Sequence, residues 1–109
     1  MNNQFDSARY GAAFQPYDYE EVTVGAAAIG LTASKLATPS GARYVHSVAI
    51  RFAGGPIRIR VDGTDPTAAV GVPVYDTDWL VFDAQSASTL KMIRQGSTNG
   101  TARVTYYRV

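Results

Sequence analysis

The chain has 109 residues, no cysteine, a charged fraction of 17% and a formal net charge of +1. Its length fits one domain, and the lack of cysteine excludes disulfides, thiolate nucleophiles and zinc–thiolate sites. Near neutrality removes any global pull toward nucleic acid or an anionic bilayer. Eight of the ten basic residues are arginine, Lys35 and Lys91 being the exceptions. Arginine suits partly desolvated contacts, so this bias and the sparse charge point to a surface that other protein covers. A small domain without covalent staples often gains stability from self-association. Met1 to Asp6 has neither the basic start nor the apolar run of a signal peptide, and no stretch is long enough to span a bilayer. The expectation is a chain made in the cytoplasm, with no membrane partner.

Residues 1–16 lack periodicity yet carry Phe5, Tyr10 and Phe14, ending at Gln15-Pro16. Aromatics in a leading segment suit a strap on its own domain or an arm reaching a neighbouring subunit. The expected organisation is therefore an extended N-terminal arm over 1–16 and a β domain over 17–109. Phe5, Tyr10, Phe14 and Tyr17 are the arm's candidate protein-interface residues.

From Tyr17 onward the pattern is β. Tyr19 to Val24 is rich in β-branched and aromatic residues and closes at Gly25. Gly25 and Gly30 bracket Ala26-Ala27-Ala28 too tightly for a helix, so Ala28 to Leu31 reads as a short strand and Thr32 to Ala42 as a connection. Arg43 to Ala53 alternates, with Tyr44, His46, Val48, Ile50 and Phe52 on one face. Gly54-Gly55-Pro56 reads as a hairpin-like turn into Ile57 to Val61, whose Arg58 and Arg60 point outward. Asp62 to Pro66 is a dense turn. Strands follow at Val70 to Tyr75, Trp79 to Phe82, Leu90 to Gln95 and Thr101 to Arg108. Short strands at this spacing predict an all-β antiparallel sandwich of jelly-roll type.

Chemistry is poorly provided for. His46 is the single histidine, and on an apolar strand face it reads as a core or interface residue rather than a base. Asp76/Asp78 and Asp62/Asp65 lack the ligand spacing of a calcium loop and read as turn caps; Glu20/Glu21 form the remaining carboxylate pair. Met92 reads as core filler. Ala53-Gly54-Gly55-Pro56 lacks the lysine and following helix of a phosphate loop. The expectation is a non-enzyme without cofactor or metal. Trp79 and the seven tyrosines could form a carbohydrate platform, but the apolar run Trp79-Leu80-Val81-Phe82 places Trp79 in the core. Arg58, Arg60, Arg94 and Arg103 could track a single strand of nucleic acid; neutral charge makes a solvated face or a protein contact the simpler reading. Arg58, Arg60 and Tyr107 are the candidate interface residues on strand faces.

The stretch from Val22 to the C-terminus resembles a group of small β-rich proteins of tailed-phage structural gene clusters. The resemblance lies in Ile29-Gly30-Leu31-Thr32-Ala33, in Gly55-Pro56 through Asp65-Pro66-Thr67, in Met92-Ile93-Arg94-Gln95-Gly96-Ser97 and in Val104-Thr105-Tyr106-Tyr107. It implies a bacteriophage virion component, in first place a head decoration (cement) protein that binds the major capsid protein or another virion protein. A neck or tail adaptor and a carbohydrate-binding sandwich are the alternatives. Self-association is expected, a trimer before a dimer, with no nucleic acid bound.

Overall fold

A computed structural model describes residues 15–36 and 45–108, with the side chains of Val45 and His46 outside the description. In chain order the elements are β1 (Gln15–Val24), α1 (Ala33–Leu36), β2 (Val45–Gly54), β3 (Ile57–Arg60), β4 (Val72–Val74), β5 (Trp79–Asp83), α2 (Ala84–Thr89), β6 (Lys91–Arg94) and β7 (Gly100–Arg108). The strands form two antiparallel sheets, ordered β1-β7-β2-β5 and β4-β3-β6. The expected all-β sandwich-like architecture is what the chain adopts.

Alternation explains the layering. Along β7, Ala102, Val104 and Tyr106 point inward and are buried, while Thr101, Arg103, Thr105 and Tyr107 point out. Val48, Ile50 and Phe52 of β2 and Val22 and Val24 of β1 join the same inner face. Ile57 and Ile59 of β3, Val74 of β4 and Met92 of β6 meet them from the second sheet, so both sheets share one core. Strict alternation in β2 ends at its start. The register steps from Val45↔Arg108 to Ser47↔Tyr107, which leaves an extra residue at His46. A matching shift between Pro16 and Asp18 makes Tyr17 the extra residue of β1.

Four expectations need correction. Gly54-Gly55-Pro56 is not a hairpin turn: β2 and β3 belong to different sheets, and the segment carries the chain from one layer to the other. Gly54 adopts φ +82°, and a Cβ on Gly55 would stand 2.3 Å from the Thr98 carbonyl oxygen, so the crossing needs glycine at both positions. The strand expected at Ala28 to Leu31 is one antiparallel bridge, Ile29↔Met92. The strand expected from Val70 is shorter, Val72–Val74. Residues after β5 form the unexpected helix α2, started by Asp83, whose Oδ1 accepts the Ser86 N–H at 2.7 Å. No helix among the described residues is long and apolar enough to cross a membrane.

Candidate interaction face

The outward face of the four-stranded sheet is built by cross-strand register. One row across it runs Tyr19, Thr105, Ala49, Val81; the next runs Glu21, Arg103, Arg51, Trp79; a third joins Tyr107, Ser47 and Asp83. Leu80 and Phe82 of β5 turn inward and pack on the core, which forces their neighbours Trp79 and Val81 out. Trp79 is 60% exposed, Val81 64% and Tyr19 49%. Trp79, Val81, Ala49, Tyr107 and Ser47 line a shallow depression of about 180 Å³. A solvated sheet face normally alternates to polar residues. Here its β5 side is aromatic and aliphatic instead.

Trp79 was expected in the core and is not. An unbroken apolar run suits a strand covered on both faces, but β5 has the core on one side only, and no described element lies over its outer face. The signal that could have found this is positional: Trp79 and Val81 share parity with Asp83, a residue that does not belong inside.

The charges around Trp79 are arranged. The Arg51 guanidinium carbon lies 5.5 Å from the centre of the indole ring, within range of a cation–π contact, and its Nη1 donates to the Thr77 carbonyl at 3.3 Å. Arg103, opposite Arg51, pairs with Glu21 at 3.6 Å. Arg51 has no carboxylate partner among the described residues.

A second cluster closes one end of the sandwich. Glu20 points inward while Glu21 points out, so the two carboxylates do not form a pair. Thr32 donates to Glu20 through its hydroxyl at 2.6 Å and its N–H at 3.1 Å, and the buried Tyr106 hydroxyl donates to the same carboxylate. Burial pushes the Glu20 carboxyl up, but these bonds outweigh it and hold it below the ordinary range. Burial, reinforced by Glu20, holds the Tyr106 proton far above its usual range. Lys35 bonds Asp18 at 2.8 Å, and Tyr17 donates to the Lys35 carbonyl. Every donor here has a partner inside the chain, and the cluster ties α1 to β1.

The other candidates fall as follows. Phe5, Tyr10 and Phe14 lie outside the described residues. Tyr17 packs on the chain's own core, with Tyr106 at 6.1 Å and Arg108 over its ring. Arg58 and Arg60 do flank the inward isoleucines, but Arg58 donates to the Gly71 carbonyl at 2.9 Å and Arg60 pairs with Asp62. Tyr107 lines the depression beside Trp79. Asp78 takes the Tyr75 N–H, the turn role expected of it, whereas Asp76 takes the Gly54 N–H from 22 residues away. Met92 is fully buried, as core filler should be. Among the described residues no three His, Asp or Glu side chains gather as a metal site would require. Comparisons with protein-family models, with curated proteins and with solved structures found no match.

Proposed function

We propose that this chain is a structural protein of a tailed-phage virion, a decoration (cement) protein that docks on the capsid lattice and stabilises it. The observation that carries the docking is the aromatic and aliphatic outward face around Trp79, Val81 and Tyr107. The virion assignment rests on the sequence resemblance described above. A face of this kind adheres by apolar burial, worth about 25 cal/mol per Å² removed from water, and attachment of several copies multiplies modest single contacts. The leading segment, with Phe5, Tyr10 and Phe14, is the proposed second contact.

The sandwich itself reads as a reduced jelly roll. Counting the Ile29 bridge as a shrunken second strand turns the observed orders into first-eighth-third-sixth and second-seventh-fourth-fifth. That interleaving is the strand order of an eight-stranded jelly roll. The test of function is fractionation of the assembled phage on a density gradient: the protein is expected with intact heads, released as the head shell is dissociated. Recovery with tails or necks alone would move it to an adaptor role, and absence from particles would overturn the virion reading.

The exposure of Trp79 also favours a second reading, stacking of a sugar ring on the indole. That reading predicts a change in Trp79 fluorescence with at least one member of a glycan panel.

A further inference from the structure

We propose that two copies of this chain pair through β5, edge to edge and antiparallel about a two-fold axis at Val81, joining their four-stranded sheets into one. This concerns the chain's own association and does not depend on the virion reading.

Four sheet edges are open to a partner, and three are guarded. β1 carries Asp18, Glu20 and Glu21, with Lys35 bonded alongside. β4 is three residues long and holds Pro73. β6 is covered by the Ile29 bridge and by the Arg94 N–H bonded to the Gly25 carbonyl. Charge, brevity, proline and cover are the devices by which sheets avoid edge-to-edge association. β5 is the least guarded: Trp79-Leu80-Val81-Phe82 is uncharged and proline-free, its single charge is Asp83 at the end, and among the described residues it is paired on one side only.

The backbone of β5 is set for a self-complementary match. Phe52 donates to the Asp78 carbonyl at 2.9 Å and its own carbonyl takes the Thr77 N–H at 2.8 Å, so Phe52 turns its backbone groups toward β5. By antiparallel alternation Leu80 and Phe82 also spend their backbone groups on β2. The N–H and C=O of Trp79 and Val81 and the N–H of Asp83 therefore point to the open edge, while the Asp83 carbonyl starts helix α2. Centring the two-fold axis on Val81 brings Val81 opposite the second copy's Val81, and Trp79 opposite its Asp83. Val81 then exchanges both its backbone bonds with its counterpart and the Asp83 N–H meets the Trp79 carbonyl, all in one register. A shift by one residue would lose them.

Charge selects the same register. Among the described residues Arg51 has no carboxylate partner, and its guanidinium lies over Trp79 with Nη1 on the Thr77 carbonyl. Opposite Trp79 stands Asp83 of the second copy, about two strand spacings from Arg51's own strand, or ~10 Å. That span suits an arginine side chain already extended across the indole. The Asp83 carboxylate already takes the Ser86 N–H on Oδ1 and a bond from the Ser86 side chain, and it keeps the negative charge that would face Arg51. Each dimer would contain this cation–carboxylate match twice, as an isologous interface requires. The geometry favours a dimer over the trimer expected from sequence. It also places the two apolar faces side by side, doubling the area offered to a lattice.

Sedimentation equilibrium of the purified full chain tests the pairing, without any particle present. Wild type is expected at the mass of two 11.7 kDa chains. Val81→Glu, which sets two like charges on the axis, should run as a monomer with unchanged circular dichroism. Asp83→Asn keeps a good helix cap and removes the charge; it should weaken the dimer several-fold, and it serves as the readout should Val81→Glu fail to fold. A wild-type monomer through the high micromolar range, a trimer, or a dimer indifferent to both substitutions would overturn the pairing. None of these results would touch the gradient test of the virion reading.

Discussion

Glu20 shows how one residue can be essential to the fold while offering nothing to a substrate. Its carboxylate takes bonds from Thr32 and Tyr106 and so pins the segment after β1 across the end of the sandwich. Glu20→Ala is expected to cost about 1–3 kcal/mol, because it strands the buried Tyr106 hydroxyl; chemical denaturation measures it. The carboxyl is held below its ordinary range, so its contribution is present above that range and is lost as pH falls through the folded-state value. An acid titration of stability should therefore lose part of its slope in Glu20→Gln. Gly55→Ala should cost about 1–3 kcal/mol through overpacking against the Thr98 carbonyl. Trp79→Ala, by contrast, should stay within about 0.5 kcal/mol, as surface substitutions do, while weakening any docking. At this scale the turn roles of Asp78 and Asp62 were legible from sequence, because short acidic side chains in turns bond their own backbone; Asp76 instead takes the Gly54 N–H, 22 residues away. The role of Glu20 was not: its partners lie 12 and 86 residues away, and no local pattern encodes that.

Elements carry a different lesson. The alternating strands β2, β3 and β7 were readable because one face of each meets the core and the period is two. β5 was readable as a strand but not as an edge, since an apolar run is the same string of letters whether a layer covers both faces or one. Helix α2 escaped notice because six residues without an apolar stripe carry no periodicity; its one local mark is Asp83 three residues before Ser86. Asp83→Ala should cost about 1 kcal/mol through loss of that cap, seen as a lowered melting temperature, whereas Asp83→Asn should melt close to wild type. The hairpin expected at Gly54-Gly55-Pro56 failed for a physical reason too. The glycines serve close approach to the Thr98–Gly100 backbone, which sequence alone cannot separate from a tight turn.

For the whole molecule, alternation sorts the chain into two sheets around one core and leaves one outward face more apolar than solvent requires. The proposed docking requires that face to be open in the free protein and covered once the protein is bound. Trp79 is the single tryptophan and sits in the middle of the question, so its fluorescence emission reports on the face alone. In dilute protein the emission should be that of a water-exposed indole, shifting to the blue as purified phage heads are added to saturation. A buried-indole emission from the free chain, or no shift on heads that have bound the protein, would contradict the account.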